Sequence, residues 1–276
     1  MAMSTQQTTD TTPDYNASGK AFLAWVGGKS KLAREIISLM PAHNCYCEVF
    51  GGAGWVMFKK TASNVEIIND LNSDLVNLYR VIKFHFEEFI KQFKFLLIAR
   101  DEYERLKLSK PETLTDIQRA VRYYYLVRLS YGGKAVEHNF TVGATRMPPI
   151  NLLRIEEDLS QAHLRLSRVA IENQHYSKII ERFDLPDTLF YLDPPYFNCE
   201  DYYGKGLFNK KDFELLRNQL RSIKGKFILS LNNVPEIREI FKEFHIIETS
   251  VRWSLGKEYN EANEVIILNF EPPKIA

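Results

Sequence analysis

Apolar residues recur along this chain in two periods. From Ser73 the positions Leu75, Leu78, Tyr79, Ile82, Phe86, Ile90 and Phe93 return every three or four residues. That spacing puts them on one face and predicts a single long amphipathic helix. Leu32, Ile36 and Leu39 repeat the pattern in a shorter helix over 30–40, stopped by Pro41. Thr115 and Gln118 have the spacing of a capping box and open an apolar helix that runs to Leu129. The stretch "KKDFELLRNQLRSI" from Lys210 is a further amphipathic helix. Short apolar runs bounded by turn residues read as strands instead: 46–50, 65–68, 189–192, 227–231, 245–253 and 265–270. Strands alternating with helices predict an α/β sheet, mostly parallel.

Residues 94–166 break that alternation. They are helical in pattern and rich in Tyr and Arg, and 130–151 hold too many Gly and Pro for a regular element. The expected organisation is a disordered polar tail over 1–19, a sheet domain over 20–80 and 167–276, and a helical insertion over 81–166. The helix faces at Tyr123, Tyr124 and Tyr125 are expected to be core.

Composition narrows the class. The chain has 276 residues, 45% hydrophobic and 26% charged, which suits a globular enzyme with an ample core. No run of 18 apolar residues occurs and the N-terminus lacks a hydrophobic signal region, so no membrane partner is expected. Cys45, Cys47 and Cys199 have no metal-ligand spacing and cannot all pair. A reduced, cytoplasmic setting and no metal are the expectation. The net charge of +1 neither announces nor excludes a nucleic-acid partner. Residues 119–168 carry eight basic residues against four acidic ones, a local charge of +4.

Two segments carry candidate chemistry. In "EVFGGAG", Gly51, Gly52 and Gly54 follow a strand, and Asp70 ends the next one. A glycine turn at the carboxyl edge of a sheet admits a ligand to the backbone, and an acid on the adjacent strand grips ribose hydroxyls. The pair points to a nucleoside-containing ligand. The third glycine of a dinucleotide fingerprint is missing, which disfavours NAD. "WVGGKS" ends like a P-loop, but Leu23 stands where the first glycine is required, and the match fails.

The second segment is "LFYLDPPYFN", 189–198. Two successive prolines fix φ and remove two N–H donors. The Asp193 carboxylate and the Pro194 carbonyl become two acceptors in fixed relation, suited to an exocyclic NH₂. Tyr196 or Phe197 supplies a ring to stack on the base that carries it. Two accepted hydrogen bonds localise the lone pair of an otherwise delocalised amine, so that it can attack an activated methyl group.

The sequence resembles the Dam family of adenine-specific DNA methyltransferases, in the order that begins with the methionine-pocket motif. The matching segments are "FLAWVGGKSKL" (22–32), "EVFGGAGWVMF" (48–58), "INDLNSDLVNLY" (68–79), "YLDPPY" (191–196), "ILSLNN" (228–233) and "NEVIILNF" (263–270). The resemblance implies a Rossmann-like S-adenosylmethionine-dependent methyltransferase sheet with a helical target-recognition insertion, acting on double-stranded DNA. It places Trp25 and Lys29 at the methionine end of the cofactor, Glu48, Phe50 and Gly52 along its middle, and Asp70 on its ribose. Asp193, Pro194 and Tyr196 then hold a flipped adenine, Asp193 beside the cofactor too. Duplex DNA hides the adenine amine, so flipping follows from the chemistry.

The chain departs from the family pattern in two places. "SYGGKAVEHNFTVGATR" replaces the usual Phe-Asn-Gly segment, so the resemblance does not carry over GATC recognition. His175 and Tyr176 stand where many members have an Asp-Phe pair beside the cofactor adenine; Tyr176 keeps the ring for stacking. Arg128, Lys134, His138, Asn139 and Arg146 are the candidate DNA contacts, since Arg suits guanine edges and Asn adenine. Methylation of a cytosine amine, and DNA binding without turnover, are the competing readings.

Overall fold

The computed structural model describes residues 21–23, 25, 29–130, 140, 149–199, 208–255 and 258–273. The expected tail over 1–19 lies outside them.

Seven strands form one sheet in the order β3-β2-β1-β4-β5-β7-β6. They are β1 (Cys45–Glu48), β2 (Val65–Asn69), β3 (Val169–Glu172), β4 (Thr188–Leu192), β5 (Lys226–Asn232), β6 (His245–Leu255) and β7 (Glu258–Leu268). Neighbours from β3 to β5 are parallel, and β7 runs antiparallel to both β5 and β6. The central strands are buried along their whole length, because helices cover both faces. The direction of winding, not of the strands, reverses between β1 and β4: one half steps outward to β2 and β3, the other to β5. Such a switch point opens a crevice at the carboxyl ends of the strands.

The helices are α1 (Ala33–Ser38), α2 (Trp55–Lys59), α3 (Ser73–Phe84), α4 (Phe86–Phe93), α5 (Arg100–Leu108), α6 (Asp116–Leu129), α7 (Ile155–Leu166), α8 (Tyr176–Phe183), α9 (Lys210–Ser222) and α10 (Pro235–Ile240). Alternate residues of β4 face opposite layers. Leu189 and Tyr191 join a core with the helices from α1 to α7, while Phe190 and Leu192 join one with α8, α9 and α10. No helix among the described residues is long and apolar enough to cross a membrane.

The single helix expected from Ser73 to Phe93 is two. The backbone breaks at His85 (φ −132°, ψ 39°). The break lets Phe86 stack on His163 at 4.7 Å and turns Phe89 and Phe93 onto Tyr124, at 5.8 and 5.7 Å. The capping box forms at Thr115 and Gln118, and Tyr123, Tyr124 and Tyr125 are all buried.

The helices between β2 and β3 share a core with the sheet. Arg165 of α7 is buried against Glu66 of β2, which also accepts from Lys60 at 2.6 Å. Arg165 also donates to the Met57 carbonyl at 3.1 Å. The Coulomb attraction and hydrogen bonds offset the desolvation of these charges only because all three are present together. Arg119 pairs with Asp74, and Arg122 donates to the Leu106 carbonyl. Of the local positive charges counted from the sequence, Arg165 is therefore spent inside the protein, and Arg119 is paired with an acid.

Candidate active site

A cleft of about 900 Å³, its open mouth included, lies over the carboxyl ends of β1, β2, β3 and β4. The glycine turn forms its floor. Gly52 and Gly54 have φ of 48° and 64°, a region that side chains rarely adopt. A Cβ on Gly52 would meet the Trp25 Nε1 at 2.9 Å, so the bare backbone lets the indole lie on the turn. The Tyr79 hydroxyl donates to the Gly52 carbonyl at 2.5 Å and fixes the turn from below.

Asp70 stands beside it, where β2 ends. Its Oδ2 accepts from the Gly52 N–H and its Oδ1 from the Asn72 N–H, both at 2.8 Å. Burial pushes its carboxyl up, and these N–H groups pull it back. Asn72 caps α3 with its Oδ1 and donates through Nδ2 to the Tyr123 hydroxyl at 3.1 Å. Asn69 ties the strand ends together, donating to the carbonyls of Val49 and Gln174 and accepting from the Gln174 N–H.

Beyond Asp70 the wall is aromatic. Phe50 and Tyr176 lie 5.7 Å apart, and Phe208 is 5.9 Å from each. The Tyr176 hydroxyl is held by Asp212 of α9 at 3.2 Å. His175 lies against the Tyr176 ring at 4.2 Å, and its Nδ1 accepts from the Ser177 N–H at the start of α8.

Toward the other end, Glu48 is fully buried. Its Oε2 accepts from the Tyr46 hydroxyl at 2.8 Å and the Met57 N–H at 3.0 Å. Burial pushes its carboxyl up to about 8, against the pull of those two donors.

Asp193 follows β4 directly. Lys29, itself buried, reaches its Oδ1 at 2.7 Å, and the Ser230 hydroxyl donates to the same oxygen at 3.0 Å. Both contacts fall on Oδ1. Burial pushes the Asp193 carboxyl up; the Lys29 ammonium, and then Ser230, pull it down. Lys29 also donates to the Tyr196 hydroxyl at 2.7 Å and lies 3.8 Å from Glu264. Asn232, at the end of β5, clamps the turn. Its Oδ1 accepts from the Phe197 N–H at 3.0 Å and its Nδ2 donates to the Phe197 carbonyl at 3.1 Å.

Of the candidate residues, Trp25, Lys29, Glu48, Phe50, Gly52, Asp70, Tyr176 and Asp193 all line this one cleft. Pro194 and Tyr196 stand next to it, with Pro195 in its wall. Lys29 is found on the Asp193 carboxylate. Arg128 donates to the Pro149 carbonyl, whereas Lys134, His138, Asn139 and Arg146 lie outside the described residues. Sequence reasoning did not find Asn72, Phe208, Asp212, Ser230, Asn232 or Glu264. Ser230 and Asn232 lie in a quoted motif, "ILSLNN", and an apolar run ending in two amides is the signal that could have found Asn232.

The chain matches the family model of D12 class N6 adenine-specific DNA methyltransferases over residues 25–255. It is similar to a protein named Type II methyltransferase M1.LlaDCHI from Lactococcus lactis subsp. cremoris, with 27% identity covering 91% of this chain and 95% of that one. It is 31% identical to a DNA adenine methylase of Haemophilus influenzae, covering 86% of this chain and 88% of the relative. A DNA adenine methylase of Serratia marcescens is 30% identical, over 64% of this chain and 67% of its own length.

Proposed function

Because the chain belongs to the D12 class of N6 adenine-specific DNA methyltransferases, and so methylates adenine in DNA, we propose how its cleft divides the work. S-adenosylmethionine occupies the part floored by the glycine turn, and a flipped adenine of duplex DNA meets Asp193, Pro194 and Tyr196.

The residues fit that cofactor. Phe50, Tyr176 and Phe208 offer apolar rings to a purine. Asp70 is oriented by two backbone N–H groups and accepts from a ribose diol. Glu48, with Oε2 engaged on both contacts, has Oε1 for a cationic amine. Trp25 and Lys29 bound the methionine end. When bound, this cofactor supplies an electrophilic methyl group.

The chain's own residues prepare the nucleophile. Asp193 Oδ2 and the Pro194 carbonyl accept the two hydrogens of the adenine amine, which draws its lone pair onto nitrogen. Lys29 and Ser230 hold Oδ1, so the carboxylate cannot rotate away. Asn232 holds the turn through both backbone groups of Phe197. Asp193 then takes the proton that the methylated amine sheds, through Oδ2. The helices between β2 and β3, with Arg128 at the end of α6, are the DNA-reading element.

One observation carries this division: the only donors reaching Asp193 among the described residues meet a single oxygen, at a strand end that also borders the glycine turn. The test is methyl transfer to methylation-free genomic DNA, read by long-read detection of modified bases. N6-methyladenine at one short sequence is the expected result. Modified cytosine in its place would refute the reading.

A further inference from the structure

Glu264 has no part in the scheme above, yet it is buried beside it with 1% of its surface exposed. It sits on β7 directly opposite Asn232 of β5, the residue that clamps the Asp193 turn. A buried carboxylate survives only with a partner. One charged partner is Lys29, an ion pair at 3.8 Å, and the Tyr196 hydroxyl lies beside it as well. The Lys29 ammonium therefore serves two carboxylates, Asp193 at 2.7 Å and Glu264 at 3.8 Å.

That sharing bears on the acceptor strength of Asp193. A carboxylate neutralised by a private ammonium is a poor hydrogen-bond acceptor, and the amine needs a good one. A second carboxylate on the same ammonium divides its positive charge. We propose that Glu264 is a positioning residue for methyl transfer: by sharing Lys29 with Asp193, it keeps the Asp193 carboxylate a strong acceptor for the adenine amine. This rests on the reading that Asp193 receives that amine. The charged and titratable groups around Asp193 are Lys29 before α1, Glu48 on β1, Tyr191 on β4, Tyr196 in the turn and Glu264 on β7. Glu264 is the one among them whose carboxylate meets the same ammonium.

The two contacts through Lys29 put the nearest oxygens of the two carboxylates within about 6.5 Å. At an effective dielectric of about 20 to 80, removing one charge at that range lowers the pKa of the other by roughly 0.5 to 2 units. The experiment is the pH profile of kcat for methyl transfer, with cofactor and duplex DNA saturating, for the wild type, Glu264→Gln, Glu264→Asp and Lys29→Met. For Glu264→Gln the acid limb is expected to move down by roughly 0.5 to 2 pH units, with a lower plateau. Glu264→Asp keeps the charge and holds the limb near its wild-type position, while Lys29→Met moves it up.

A Glu264→Gln limb that coincides with the wild-type limb, while N6-methyladenine is still formed, overturns the proposal alone. Should Glu264→Gln fail to fold, a Lys29→Met limb that does not rise overturns it equally. A wild type that forms no N6-methyladenine overturns instead the reading beneath it.

Discussion

Replacing Asn232 by Ala separates the geometry of the Asp193 turn from the chemistry of Asp193 itself. The side chain makes two hydrogen bonds to Phe197, at 3.0 and 3.1 Å, and is half-buried. Each is worth about 0.5 to 1.5 kcal/mol net. The loss is therefore about 1 to 3 kcal/mol, toward the lower end because water reaches part of the site. If it falls on the active conformation of the turn, kcat drops about 5- to 150-fold, toward the lower figure, since about 1.4 kcal/mol is a factor of ten. Asn232 does not line the cleft proposed to hold the cofactor, so cofactor affinity should hold within about twofold. The assay pairs single-turnover methyl transfer to a duplex oligonucleotide with calorimetric titration of the cofactor and urea unfolding. A variant destabilised by the stated amount that nonetheless transfers methyl groups at the wild-type rate would refute the reasoning. The clamp would then be a brace for the fold and not for the acceptor pair.

Other outcomes follow from the same site. Asp193→Ala should cut kcat by about 10²- to 10³-fold, as loss of an electrostatic stabiliser does, while calorimetry shows cofactor still bound; residual activity within tenfold of wild type would sink the acceptor role. Asp70→Ala should raise the cofactor dissociation constant about 10- to 100-fold, the worth of charge-assisted hydrogen bonds to a diol, with kcat at saturation largely kept. Glu48 has its carboxyl raised from 4.5 to about 8, so the folded state holds a proton that the unfolded state has released. Stability from this group is full below about pH 4.5 and is lost as pH rises toward 8. Glu48→Gln should accordingly flatten the decline in unfolding free energy between those values. A decline as steep as the wild type's would place its origin elsewhere.

What could be read from the chain was local. Leu189–Leu192 is an uninterrupted apolar run that ends in an acid and two prolines, so both the central strand and the turn at its end were visible. The glycine turn and Asp70 were visible because each sits where a strand stops. β3 was missed: Val169–Glu172 is four residues long and only Val169 is buried, which leaves no pattern to see. The break at His85 was missed because apolar residues keep their helical spacing straight across it. Long-range pairs left no trace at all. Nothing near Lys29 announces Asp193, and nothing near Arg165 announces Glu66, whose partnership turns a supposed surface charge into a buried one.

The seam between α6 and α3 limits how this enzyme can be recombined with its relatives. Tyr123 on α6 accepts from Asn72, and the backbone of Asn72 holds Asp70. Asn77 of α3 likewise donates to the Asp116 carbonyl. If Asp70 holds the cofactor ribose as proposed, a chimera that exchanged α6 for another member's would cut these ties and weaken cofactor binding as well. Crossover points placed after Leu129 and before Ile155 leave both of these bonds whole.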